Sequence, residues 1–492
     1  MSIAEFIGPA GQPSRLETWR QAWLAIDSNE RALAFVQTRT GSLLLCAAFV
    51  FVLAAGLQLS VAALALVAAT LFAMILLPAH ALTVLVGSSL FYFAMRPFRI
   101  DGWAGLVQEK SEAFPFAGAM GLQLASVAIV LVLSAMFLFW QRQFSGTTAA
   151  KRPVLTLILL WSGLLMTAIL SPQGTLWHAM HWSVVGVSVS SLWILAYSAI
   201  DARGKDTTST LHRSAFLRPF WGGSAVPIGK SFGFLNRFAA KDETELAATR
   251  LKALKLAVWA LVLTGVLKLC EFTAYQQYGL ADLQTAILAH AGGNTLGGFA
   301  NWASLITNYF IDLLIIAVWG HYIVAVVRMA GYRIPRNTVN PLGARTLAEF
   351  WNRYFYYFKE MLVDLFFYPA FRRYFKGNTK LRIAFATFCA AGLGNFLYHF
   401  MRETYVFADG ALLEKLWIFQ SAVFYSLALA IGLIVSQWRG RKVRPEDGFL
   451  AYHVWPRMNV IAFFCFLKIF DDISGEGTLM ERAAFLFGLF GV

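Results

Sequence analysis

Charge is what this 492-residue chain has least of. Asp, Glu, Lys and Arg make up 14% of it and hydrophobic residues 58%, whereas soluble domains carry about 25% charged residues. That balance excludes an ordinary water-soluble fold of this size. Acids are scarcer than bases, 27 against 41. In so apolar a chain the basic surplus points to loops facing anionic lipid, and no nucleic-acid partner is expected. Cysteines number four (Cys46, Cys270, Cys389 and Cys465), each alone in an apolar run. With no CxxC and no Cys/His ligand spacing, neither a disulfide framework nor a metal site is expected, and the thiols read as small buried hydrophobes. The first 40 residues carry Asp27, Glu30 and several arginines before any apolar run, which is unlike a cleavable signal peptide. The chain shows no internal repeat and no segment that would fold alone in water.

What the chain has in quantity is apolar runs near the roughly 17–25 residues that cross a bilayer. They predict about eleven spans, at 42–58, 60–77, 80–95, 116–140, 154–170, 178–200, 253–275, 303–329, 381–401, 415–436 and 458–470. The second and third are close enough to form a helical hairpin, and 480–492 is too short to cross alone. The expected fold is therefore an all-α polytopic integral membrane protein, with re-entrant or interfacial helices besides the spans. The expected organisation is a cytoplasmic segment 1–41, N-terminal transmembrane helices 42–200, a cytoplasmic interfacial loop 201–252 and a core 253–492.

Loop charge orients the spans. Segment 201–252 holds nine Lys/Arg and 330–382 holds ten, while 171–177, 276–302 and 471–481 hold none. Segment 437–457 adds Arg439, Arg441, Lys442, Arg444 and Arg457. With basic loops on the cytoplasmic side the signs alternate correctly and the N-terminus lies inside. Against this stand Arg96, Arg99 and Lys110, which the scheme places outside beside three acids. Within 201–252, KDETELAATRLKALKLAVWA predicts a helix running into the next span. RPFWGGSAVPIGKSFGF reads as an irregular interfacial stretch.

Ionisable residues inside apolar runs are where chemistry is sought, because placing one in hydrocarbon costs roughly 2.5–3.5 kcal/mol on insertion scales. The block FWNRYFYYFKEMLVDLFFYPAF, 350–371, is too polar for an ordinary span. As a helix it would put Asn352, Tyr356 and Glu360 on one face, and Arg353, Tyr357 and Asp364 near another. It is either a buried or re-entrant helix lining a chamber or an amphipathic helix on the membrane surface. In GLGNFLYHFMRE, helical spacing aligns Asn395, His399 and Glu403. A neutral imidazole there suits a general base for a hydroxyl, with Glu403 holding its tautomer and Asn395 orienting it or binding substrate. A structural histidine bonded to a backbone carbonyl fits the same residues. Asp312, one turn from Asn308, is either helix-packing glue or cavity lining. Lys268 and Glu271 read as a structural pair.

The run from Tyr309 onward resembles the core signature of the membrane-bound O-acyltransferase (MBOAT) family. The resemblance rests on Tyr309–Phe310–Asp312, Gly331, Asn340–Pro341, Phe350–Trp351–Arg353, Tyr368–Pro369, His399 in an apolar helix, and the C-terminal VIAFFCFLKIFDD. It covers about 300–470. It implies a helical fold around a chamber open to both membrane faces. It also implies transfer of an acyl group, acetyl among the candidates, from a cytoplasmic acyl-CoA or acyl-carrier thioester to a hydroxyl of an envelope polysaccharide, sugar or lipid. No cofactor beyond that donor is implied. His399 would be the catalytic base, assisted by Glu403 and Asn395. Trp351, Asn352, Arg353, Tyr356, Glu360 and Asp312 would line the substrate chamber. The similarity extends to bacterial envelope polysaccharide O-acylases, which implies the cell inner (plasma) membrane, contact with membrane lipid, and an extracytoplasmic partner protein. One position departs from the pattern: where many members carry His or Asn soon after Phe-Trp-x-Arg, this chain has Phe355. The alternative from another class is a non-catalytic transporter or channel-like protein on the same scaffold.

Overall fold

The computed structural model describes residues 24–492 except 99, 115, 117, 205, 223–225, 295, 411, 440–444 and 473–474. Most of segment 1–41, and Arg99, Lys205, Arg441, Lys442 and Arg444 of the charge pattern, lie outside the described residues. No strand occurs among the described residues, only an isolated bridge between Ala239 and Tyr332. The helices used below are α1 Arg39–Gly56, α2 Val61–Leu76, α3 Ala81–Met95, α4 Asp101–Glu112, α5 Gly118–Gln143, α6 Pro153–Leu170, α7 Leu176–Asp201, α8 Glu243–Glu271, α9 Gly298–Met329, α10 Leu347–Tyr354, α11 Tyr356–Leu362, α12 Thr379–Thr387, α13 Asn395–Glu403, α14 Gln420–Arg439, α15 Trp455–Ile469 and α16 Leu479–Gly488.

Among the described residues, ten helices are long and apolar enough to cross a membrane, so the chain is a multi-pass, all-α membrane protein. Each of the eleven expected spans is a helix at the expected place. The eleventh of the set, α2, has only 16 residues, about 24 Å at 1.5 Å per residue, and falls short of the rest. It joins α3 through a turn at Pro78–His80, so the two form the anticipated hairpin. Helix α8 runs unbroken from the polar loop into its span, its first turn capped by Asp242, which accepts from the Glu245 amide at 2.7 Å. Near the end of α8, Lys268 and Glu271 pair at 2.7 Å.

Helix α7 is the axis of the N-terminal half. From Trp182 to Ala199 all of its residues except Ser188 are buried. Its sequence, WSVVGVSVSSLW, explains this: small residues let neighbours approach closely, which is how helices pack without a hydrophobic drive. Ser183 meets Ser126 of α5 at 2.7 Å. Gly186 lies under the Trp103 and Phe98 rings, where a Cβ would come within 2.6 Å of Trp103.

Two expectations need correction. The described residues of 216–232 are packed between helices and are not spread along the outside of the protein. Phe216, Leu217, Arg218, Phe220, Trp221 and Phe232 are buried, and Arg218 donates to the carbonyls of Pro97 at 2.5 Å and Phe98 at 3.3 Å. The Phe220 amide donates to Ser89 of α3 at 3.2 Å. This irregular backbone is held between helices because its aromatics are buried and its polar groups find protein partners. The block 350–371 is not one helix. It breaks at Phe355, which leaves the helical region at φ −136°, ψ 73°. After α11 it passes through a π-helical turn, Val363–Phe367, before the short helix Tyr368–Arg373. Phe350, Tyr357, Phe358, Met361, Leu362 and Leu365 are buried, so the block is enclosed by protein and is no surface helix.

Asn337 sets the break. Its backbone carbonyl accepts from the Tyr356 amide at 2.9 Å and its side-chain oxygen from the Tyr357 amide at 3.3 Å, which caps α11. Asn337 is fully buried and rests on Gly320 of α9, where a Cβ would fall 2.7 Å from its side-chain nitrogen. Gly320→Ala should therefore push Asn337 off its seat and lower stability by about 1–3 kcal/mol, the usual cost of overpacking. Thermal unfolding in detergent measures it. Gly87→Ala in α3, where an added Cβ meets nothing within 4 Å, should leave the midpoint unchanged or raise it. Equal midpoints for the two variants would show that Asn337 does not depend on Gly320.

Candidate functional site

His399 enters the interior on α13, just after a second π-helical turn, Phe388–Gly394. Such turns re-aim the helix that follows and recur at functional sites. The sequence allows the turn: at Gly394 a Cβ would come within 2.8 Å of the Phe366 ring, and Phe366 belongs to the π-helical turn of the block. The two irregular turns thus pack together, and the block lies against the histidine helix. Phe358 faces the His399 ring with centroids 6.2 Å apart.

The His399 Nδ1 atom is buried with no hydrogen-bond partner. Buried polar atoms are usually paired, and one that is not calls for an explanation. The charges whose fields reach the ring are Arg402 and Asp471. Asp471 belongs to a chain of ion pairs: Lys468 Nζ lies 2.6 Å from Asp312 Oδ2 and 2.9 Å from Asp471 Oδ2. Lys468 and Asp471 are closed in by protein, yet they keep 22% and 31% of their side-chain surface accessible, so water-sized space remains beside them. Tyr354 of α10 and Tyr425 of α14 also lie within the fields of Lys468 and Asp471. Five helices (α9, α10, α13, α14 and α15) therefore bring one histidine, two carboxylates, one ammonium and two phenols to one place.

The three aligned residues of α13 have divergent partners. Asn395 is fully buried, and its Nδ2 donates to Ser426 of α14 at 3.4 Å. Glu403 is buried, accepts from the Tyr405 hydroxyl, and has Arg402 Nε 3.9 Å away. It does not hold the imidazole, because the helix turns Glu403 toward Tyr405, and the carboxylate near His399 comes from Asp471 instead. Asp312 bridges α9 and α15 through Lys468, which is the glue role, and it lines neither of the two cavities given below.

Trp351, Asn352, Tyr356 and Glu360 converge on one cavity of about 140 Å³, shared with Thr387 and Gln437. Thr387 donates to Gln437 at 2.9 Å across its wall. Arg353 does not line this cavity. It is one-third exposed and pairs with Glu349 at 2.5 Å, because the break at Phe355 leaves it on the outer side of α10. Glu360 pairs with Lys359 at 2.5 Å and with Lys230 at 3.0 Å, and Lys230 reaches Asp364 at 2.6 Å. Burial pushes the Glu360 carboxyl up, and the two lysines more than offset it, so it lies below the usual carboxylate range. Phe355 lines a separate, larger cavity of about 400 Å³. Neither cavity has His399 in its wall.

Sequence reasoning did not assign roles to Lys468, Asp471, Tyr354 or Tyr425. The signal for the first two was present, since charges at 468, 471 and 472 close an apolar run. Among the described residues no three His, Cys, Asp or Glu gather where they could hold a metal. Comparison with protein-family models and with curated proteins finds no match to this chain.

Asp471 stands just beyond the end of α15. Burial pushes its carboxyl up, and Lys468 first and His399 second pull it down further, leaving it below the usual range. A depressed folded-state pKa gives stability that is present above the unfolded value of about 3.9 and lost as pH falls through the lower folded value. The parent should therefore keep its melting temperature down to about pH 4. Lys468→Met should lose about 3 kcal/mol, the low end for a broken buried pair because Lys468 and Asp471 are only partly enclosed. It should also begin its acid loss at higher pH, since burial then acts on Asp471 without Lys468 to oppose it. Melting curves against pH in detergent read both effects.

Proposed function

We propose that this protein is a membrane O-acyltransferase, in which His399 takes the proton of an acceptor hydroxyl while that oxygen attacks an acyl thioester. The observation that carries the reading is the buried, unpartnered Nδ1 of His399, a ring within the fields of Arg402 and Asp471. In the reaction a C–O bond forms and the C–S bond breaks. The hydroxyl proton passes to a ring nitrogen of His399 and then to the departing thiolate. Asp471 stabilises the imidazolium formed in between, the service a nearby carboxylate gives a general base. Asn395 fixes α13 against α14 through Ser426. The donor is an acyl-CoA or acyl-carrier thioester. The acceptor is a hydroxyl of an envelope polysaccharide, sugar or lipid, presented with or without an extracytoplasmic partner protein. The likeness to the MBOAT signature supports the same reading. The cavity of Trp351, Asn352, Tyr356 and Glu360 is the place assigned to the donor on its approach.

The same reading places the chain in a cell inner (plasma) membrane with its N-terminus and the loops 201–252 and 330–382 in the cytoplasm, on the strength of their nineteen Lys/Arg. The non-catalytic alternative is favoured by one observation: Phe355, in the slot where many members with the signature carry a polar residue, lines a cavity that does not include His399.

Two measurements test the proposal. With purified protein, a radiolabelled acyl thioester and a panel of hydroxyl acceptors, His399→Ala should lower transfer by roughly 10²–10⁴-fold, the worth of a positioned base. It should do so without shifting the melting temperature, and Asp471→Asn should give a smaller loss. Parental transfer by His399→Ala would sink the enzyme reading in favour of the alternative. For orientation, Ala240→Cys in a background free of the four native cysteines should resist a membrane-impermeant thiol reagent applied to intact cells. Labelling from outside would invert the scheme.

A further inference from the structure

The cavity that holds Phe355 does not include His399; it lies between α1, α2, α3, the segment 218–222 and α9. Its volume is about 400 Å³, within the range of small-molecule sites. One wall is purely apolar: Leu53, Leu57, Ala63, Leu66 and Val67, from the end of α1 and from α2. The other carries two guanidinium groups, Arg96 and Arg218. Arg218 is occupied, donating to the Pro97 and Phe98 carbonyls and stacking over Tyr92 at 5.1 Å. Arg96 is exposed, and its side chain has no hydrogen bond or ion pair among the described residues.

Arg96 directly follows Met95, the last residue of α3, and Phe98 two residues on packs at Gly186, where a Cβ would lie 3.1 Å from its ring. No carboxylate is among the residues lining the cavity. A guanidinium that borders an apolar wall without a carboxylate is satisfied by a bound anion or by water.

We infer that this cavity binds an anionic amphiphile, its hydrocarbon against α1 and α2 and its acidic head on Arg96. The shared chemistry is a phosphodiester or carboxylate on an acyl chain, supplied by an anionic phospholipid or a free fatty acid. The inference does not rest on the acyl-transfer reading, because Arg96 and the wall from α1 and α2 have no role in it. The competing picture is an Arg96 that snorkels along its own stem to the membrane surface, with the cavity filled by any lipid tail.

Native mass spectrometry of the delipidated full chain decides between them. The probes are dioleoylphosphatidylglycerol, dioleoylphosphatidylcholine and palmitate. The parent should bind phosphatidylglycerol, palmitate or both about tenfold more tightly than phosphatidylcholine, as one charge-assisted contact warrants. Arg96→Gln should abolish that preference, and Arg96→Lys should keep most of it. Ala63→Trp, which fills the apolar side, should weaken binding of whichever anionic probe the parent prefers. Preference for phosphatidylglycerol alone names the phospholipid, and preference for palmitate alone names the fatty acid. Equal affinity of the parent for all three probes overturns the inference. So does an anionic preference that survives Arg96→Gln or is untouched by Ala63→Trp, since the lipid would then sit elsewhere. If Arg96→Gln fails to elute as a folded monodisperse peak, the Arg96→Lys and Ala63→Trp results decide the matter.

Discussion

Lys468 between Asp312 and Asp471 is the interaction on which the core depends. Bringing three charges together inside an apolar helix bundle is unfavourable unless each is paired, and removing one leaves the others exposed to a cost of several kcal/mol. The pairing ties α15 to α9 and fixes the segment after α15 near His399. Arg482 acts similarly one turn further out. Fully buried, it pairs with Asp472 at 2.7 Å and donates to the Ile469 carbonyl at 2.8 Å, holding α16 against the end of α15. The position of Asp471 beside the histidine is therefore over-determined from both sides.

The irregular backbone follows from the same constraint. A straight helix through 379–403 would present one continuous face. The π-helical turn at 388–394 rotates the later half, and Gly394 admits the Phe366 ring. The break at Phe355 is capped by Asn337 and seated on Gly320. Both departures from regular helix pack against other parts of the chain.

The spans were legible from hydropathy because crossing a bilayer imposes length and composition directly. Helix α8 was legible because DETE ahead of RLKALK states its direction. The alignment of Asn395, His399 and Glu403 was legible from helical spacing, but their partners were not. Spacing within one helix says nothing of what another helix supplies, so Glu403 was credited with the place that Asp471 occupies. The same limit applied to 350–371: its helical face was projected through Phe355, where the chain turns because of Asn337, fifteen and more residues upstream. Asn352, Tyr356 and Glu360 still meet in one cavity, whereas Arg353 does not join them. Arg218 and its neighbours read as interfacial because aromatics and glycines beside a basic loop usually are. Burial between α3, α7 and the block depended on contacts far apart in sequence.

The most direct test of this account is the charge cluster itself. Lys468→Met should be markedly destabilised in detergent. The triple variant Asp312→Asn, Lys468→Met, Asp471→Asn should recover most of that loss, because no charge is left unpaired, while its transfer activity stays low for want of Asp471 beside His399. Comparable melting temperatures for Lys468→Met and the parent, or a triple variant as unstable as the sum of its three single changes, would contradict the claim that this pairing holds the site.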